Sequence, residues 1–263
     1  MVLCDGLACR GFIWKYFLSF FSRHAQMLHW HYPGHGESSL PIDRINLSMG
    51  RLADDLTKLL DRFSISQSVI VGHSLGVQVA LETARRHPHR VRALVLLSGV
   101  SGRLIRSISP RSPFRLMIPV LTLADAMFPQ AAADLLHRLP SPLLAAATMW
   151  TDEINARLIR RPDLKAYFDG LRTADFGTVI RMARFAAVHD AAGYLADIRV
   201  PTLVMGGRLD RLTPPERLSE IASAIPGAEL TLTRRGSHAL PVEQPDFVNL
   251  RIRRFLEEHR LIH

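Results

Sequence analysis

An α/β fold, with a mostly parallel sheet flanked by helices and a helical cap insertion, is predicted for this 263-residue chain. Short runs rich in Val, Ile and Leu alternate with helical stretches, the pattern of parallel strands joined by crossover helices. That rhythm stops after Gly99 and resumes at Val200. In between, Pro110, Pro113, Pro119, Pro129, Pro140, Pro142 and Pro162 break the chain into short helical pieces, with no strand-like run among them.

Strands are expected at Val2–Cys4, Gln26–Trp30, Ser68–Val71, Val91–Leu97, Thr202–Met205 and Leu230–Thr233. Leu47–Phe63 places Leu52, Leu56, Leu59, Leu60 and Phe63 on one helical stripe, and Leu75–Arg86 continues the alternation. The expected organisation is one sheet core built from residues 1–100 and 197–263, with residues 101–196 as a dependent helical cap.

With 48% hydrophobic and 22% charged residues, the composition is that of a globular chain, not a disordered or fibrous one. The net charge of +9 rests on arginine, since Lys15, Lys58 and Lys165 are the only lysines. Its densest groups, Arg85-Arg86, Arg160-Arg161 and Arg251-Ile252-Arg253-Arg254, sit in amphipathic patterns and read as solvated helix surface, so no nucleic-acid partner is expected. Cys4 and Cys9 are the only cysteines and both fall in the first ten residues, which excludes a disulfide framework and predicts free thiols. The apolar stretch Phe12–Phe21 is interrupted by Lys15 and too short to span a bilayer, so no stable membrane insertion is expected and the expected location is cytoplasmic.

The sharpest motif is Gly72-His73-Ser74-Leu75-Gly76, between an expected strand and an expected helix. A sharp turn there holds a serine hydroxyl out over the sheet, and the flanking glycines keep neighbouring atoms away. The helix start leaves the Leu75 N–H free for a developing oxyanion. Serine needs a base to activate it and a third group to orient that base. Of twelve histidines, His238 follows the last expected strand through Arg234-Arg235-Gly236-Ser237, at the same sheet edge as Ser74. Asp210 lies just past Thr202–Met205 at that edge, whereas Asp197 precedes the strand and Ser98-Gly99-Val100-Ser101 offers no carboxylate.

On these residues the chain resembles the α/β-hydrolase superfamily, over both sheet halves. Pro201–Asp210 followed by Gly236-Ser237-His238 is especially similar to members carrying a helical cap. The resemblance implies Ser74 as nucleophile, Asp210 and His238 as its partners, and no metal or cofactor. It places Asp5-Gly6-Leu7, followed by Trp14, where the family usually has His-Gly, making the Leu7 amide the second oxyanion donor. A carboxylate at position 5 opposes an oxyanion unless it is turned away or neutralised. His31-Tyr32-Pro33-Gly34-His35-Gly36-Glu37-Ser38 matches a structural turn in which His31 stands for the family's usual Asp. A zinc site from His29, His31 and His35 is disfavoured, because an alternating strand and a glycine turn do not converge three imidazoles. The chain opens on what resembles the family's third strand, without the usual antiparallel hairpin ahead of it.

The family likeness implies a carboxylesterase-like hydrolase. Phe114, Met117, Phe128, Met149, Trp150, Phe168, Phe176, Met182 and Phe185 give the cap an apolar character, mostly as packing, with Trp150, Met149 and Phe128 as pocket candidates. The expected partner is a small apolar ester, and no oligomeric state is specified. A carbon–carbon bond hydrolase or lactonase with the same triad is the alternative, and a non-catalytic ligand receptor the alternative of another class. Haloalkane dehalogenase and epoxide hydrolase chemistry is disfavoured, because those relatives carry aspartate where this chain has Ser74.

Overall fold

The computed structural model describes residues 1–40, 46–110, 112, 114–128, 154–173 and 175–262. Six parallel strands form one sheet: β1 (Val2–Cys4), β2 (Leu28–His29), β3 (Ser68–His73), β4 (Val91–Leu97), β5 (Thr202–Gly207) and β6 (Glu229–Thr233). Their order is β2-β1-β3-β4-β5-β6, with β1 between β2 and β3 in the register Leu3↔His29 and Leu3↔Val71. Every residue of β3 and β5 is buried, as expected where helices cover both faces of a parallel sheet.

Period-two alternation divides the core into two layers. Val2, Cys4, Ile70, Leu94, Leu96 and Val204 pack under α2 (Met49–Arg62) and α3 (Leu75–Arg86). Leu3, Val69, Val71, Val95, Leu97, Leu203 and Met205 pack against α1 (Lys15–Phe21) and the C-terminal helix. Helix α2 begins where the Ser48 hydroxyl accepts the Arg51 N–H, an N-cap that satisfies one orphan donor. Its Leu52, Leu56 and Leu60 are buried. Phe63, expected on the same stripe, is exposed, because the helix ends at Arg62 and the chain turns away.

Between β4 and β5 run α4 (Leu104–Ser107), α5 (Phe114–Met127), α6 (Arg161–Thr173) and α7 (Phe176–Val188), with no sheet strand among the described residues. Pro119 lies inside α5 and does not end it, correcting the expectation that each proline there breaks a helix; one lost N–H is tolerated. The two ends of this stretch meet at its base. Gly102 and Asp190 form an antiparallel bridge, and the Ala191 N–H donates to the Ser101 carbonyl at 2.9 Å. Nearby, Glu82 of α3 accepts from Arg85 and from the Tyr194 hydroxyl at 2.9 Å, tying the returning chain to the core. Phe168 and Met182 are buried.

After β5 the chain continues through α8 (Pro215–Ala224), β6, the short α9 (Leu240–Glu243) and α10 (Pro245–Glu258), which closes the second layer with Val248, Ile252, Phe255 and Leu256. No helix of the described residues is long and apolar enough to cross a membrane. Cys4 and Cys9 are free and buried.

Candidate active site

Ser74 sits in the bend between β3 and α3 with φ +56° and ψ −117°, a strained conformation for a residue with a side chain. Two close approaches make that bend possible. A Cβ on Gly72 would lie 2.4 Å from the Gly76 carbonyl oxygen, and one on Gly76 would lie 2.1 Å from that of Cys4. Glycine therefore lets α3 start immediately beside β1 and leave the serine projecting. The Ser74 N–H donates to the Leu97 carbonyl at 3.0 Å, fixing the turn to β4.

The three sequence-predicted side chains meet. Ser74 Oγ and His238 Nε2 are 2.9 Å apart, and His238 Nδ1 is 3.0 Å from Asp210 Oδ2. With Nδ1–H donating to the carboxylate, Nε2 is left as acceptor for the serine hydroxyl. Asp210 is fully fenced: Oδ1 accepts the Leu212 and Thr213 N–H groups at 2.9 and 2.7 Å. Its Oδ2 accepts the Thr213 hydroxyl at 2.5 Å. Asp210 and His238 are both buried.

Leu75 opens α3, where a helix leaves its first N–H groups without intrahelical acceptors. Gly6 lies so close that its Cβ would sit 3.2 Å from Ser74 Cβ, bringing the Gly6-Leu7 segment alongside the serine. The Ala8 N–H just beyond donates to His35 Nε2 at 3.2 Å, while His35 Nδ1–H donates to the Pro33 carbonyl at 3.1 Å. Burial lowers the His35 pKa, which favours the neutral ring this arrangement needs.

The Asp5 carboxylate is anchored through one oxygen. Its Oδ1 accepts the Trp14 indole N–H at 2.5 Å and lies 3.0 Å from His29 Nε2. Both partners meet the same oxygen, Oδ1.

Four residues absent from the sequence reading of the site support it. His73 Nε2–H donates to the His238 carbonyl at 2.9 Å. Burial, with the His238 charge second, lowers the His73 pKa to about 3. Buried Glu243 accepts the Ser237 N–H at 2.7 Å and the Ser237 hydroxyl, and also the Asn155 N–H at 2.7 Å. It thus clasps the loop carrying His238 to Asn155, which lies just ahead of α6 within the stretch between β4 and β5. Thr213 and His35 complete the set; only Thr213 had a local signal, the Asp-x-x-Thr spacing of a side chain bonding the turn that follows it. Phe128 is exposed beyond α5, and Met149 and Trp150 lie outside the described residues.

This sheet order and strand-end arrangement define a class, and the comparisons agree. Residues 1–245 match the family described as alpha/beta hydrolase fold, and the chain belongs to that family. A protein of Pseudomonas savastanoi pv. phaseolicola provisionally named carbamate hydrolase RutD is 29% identical over 252 residues, covering 93% of this chain and 88% of its own. Among solved structures, the enol-lactonase of Burkholderia xenovorans LB400 superposes with a TM-score of 0.80 at 22% identity, over 97% of this chain and 90% of that one. Est816, described as an N-acyl homoserine lactone degrading enzyme, gives a TM-score of 0.73 at 25% identity, over 97% and 92%.

Proposed function

We propose that the chain is a serine hydrolase that cleaves carboxylic esters of small, largely apolar substrates through an acyl-enzyme. The observation that carries this reading is the buried line of contacts from Ser74 Oγ to His238 Nε2 at 2.9 Å and from His238 Nδ1 to Asp210 at 3.0 Å. In this mechanism His238 Nε2 takes the Ser74 proton as Oγ attacks the ester carbonyl. Asp210 holds the imidazole in the tautomer that can accept that proton and stabilises the imidazolium that forms. The oxyanion is held by the Leu75 and Leu7 amides. His238 then protonates the leaving alcohol, and water repeats the sequence to release the acid.

The helical stretch between β4 and β5 is proposed to act as a cap of apolar character over the site, which suits apolar acyl or alkyl groups. Phe128, Met149 and Trp150 are its proposed pocket residues. A second reading, lactone hydrolysis by the same steps, is supported by the likeness to a lactone-degrading enzyme at 25% identity. A lactone differs in keeping its leaving group tethered to the acyl-enzyme.

A panel of p-nitrophenyl esters of rising chain length, acyl homoserine lactones and a simple carbamate tests the choice. Highest kcat/KM on a short or medium ester supports the ester reading. A preference for lactones shifts it to the second, and no turnover of any member contradicts both.

A further inference from the structure

We propose that Asp5, His29 and His31 form a binding site for one divalent transition-metal ion of the zinc class, at the foot of the loop that carries Leu7. One donor atom from each of the three lies within 4.8 Å of the others. A tetrahedral zinc ion with bonds of about 2.0–2.1 Å needs its donors roughly 3.3 Å apart. Small side-chain rotations close that difference.

The fold explains why these three converge. Strand β2 pairs with β1 in the register Leu3↔His29, so continuing both chains two residues brings His31 level with Asp5. Period two then puts His29 and His31 on one face, and their rings pack edge to face with centroids 5.0 Å apart. His35, the third histidine of the disfavoured zinc reading, is turned away to serve Ala8 and Pro33. Asp5 takes its place.

A second observation points to a ligand. Asp5 is 1% exposed, yet its Oδ2 has no hydrogen-bond partner, and a buried carboxylate oxygen left unpaired is costly. Its other oxygen is braced by Trp14 at 2.5 Å, and its carbonyl accepts the Tyr32 hydroxyl at 2.9 Å. Such outer contacts are what hold a metal-ligating carboxylate in place. The histidines are only partly buried, with His29 at 19% side-chain exposure, so an ion can reach them. Two imidazoles and one carboxylate favour zinc or cobalt(II) over calcium or magnesium. On binding, His29 changes tautomer: the proton on the Nε2 that faces Asp5 passes through solvent to Nδ1, and the freed Nε2 lone pair ligates the ion. At His31 the Glu37 N–H, now 3.2 Å from Nδ1, turns to water, so that Nδ1 either ligates directly or takes over the ring proton as Nε2 ligates.

The test is equilibrium dialysis of the full chain against Zn²⁺, with Co²⁺ absorption in the visible as a report of inner-sphere ligation. One ion per chain is expected, with affinity reduced at least about tenfold in Asp5→Asn and in His31→Gln and unchanged in the distant control His24→Gln. Asn at position 5 keeps an acceptor for Trp14, and circular dichroism checks the fold of each variant. If Asp5→Asn does not fold, the part-exposed His31→Gln decides. Equal stoichiometry and affinity in wild type and His31→Gln, or no cobalt band in wild type, overturns the proposal.

Discussion

The backbone carbonyl of His238 is held by the ring of His73, whose Nε2–H reaches it at 2.9 Å. The residue immediately before Ser74 therefore sets the position of the histidine that faces Ser74. Its ring is buried, with Nδ1 unpartnered, and must stay neutral.

That requirement gives a pH dependence. His73 has a folded pKa of about 3 against 6.5 for a free histidine, so between those values the unfolded chain binds the extra proton. Its contribution to stability is complete above about pH 6.5 and is lost progressively as pH falls toward 3. His73→Asn, which keeps an N–H donor but no titrating ring, is expected to flatten the fall in urea-unfolding midpoint across that window. An unchanged slope would contradict the assignment.

Glu243 is expected to matter to turnover through the His238 loop, without touching the reacting atoms. In Glu243→Gln an amide NH₂ faces the Ser237 or Asn155 N–H, so charge-assisted bonds worth about 1.5–3 kcal/mol are weakened. With a factor of ten in rate for about 1.4 kcal/mol, kcat should fall about tenfold with KM little changed and the circular dichroism spectrum intact. An unaltered kcat would remove Glu243 as a positioning residue.

Both thiols should be inert in the folded protein. Burial raises the Cys4 pKa to about 12 and that of Cys9 well above its usual value, and the thiol form is a poor nucleophile. Ellman's reagent is expected to react with neither until denaturant is added, and then with both. Rapid native labelling of either would show that the layer beside β1 opens readily.

Gly76→Ala tests the packing that creates the serine bend. Its Cβ would fall 2.1 Å from the Cys4 carbonyl oxygen, a backbone atom that cannot swing aside. Stability should drop by about 3 kcal/mol, at the high end for overpacking. Gly193→Ala, with nothing within 4 Å of the new methyl group, serves as the near-neutral control in the same thermal melts.

The sheet was legible because buried parallel strands are nearly continuous runs of Val, Ile and Leu, and all six expected strands are present. Their ends were less so. Strands β3 and β5 run on to His73 and Gly207, beyond the expected Val71 and Met205, because pairing with Leu97 and Thr233 continues through glycines that locally read as turn. Conversely β2 shrinks to Leu28–His29, since the short β1 pairs with it at just two positions, Val2↔Leu28 and Leu3↔His29. Ser74, Asp210 and His238 could be chosen from their places at strand ends. His73 and His35 could not, because each acts on a residue that only the tertiary fold brings near; Glu243 reaches Ser237 across a short helix start that carries no local signal, and Asn155 from far along the chain. The convergence of Asp5 with His29 and His31 depends likewise on the register between β1 and β2.

Turnover by Ser74→Ala beside wild type, on the best ester of the panel and under identical conditions, bears most directly on the proposed chemistry. If Ser74 is the nucleophile, kcat/KM falls on the order of a thousandfold or more while the melting temperature holds. Near-normal turnover by the variant would contradict it and remove Ser74 from the mechanism.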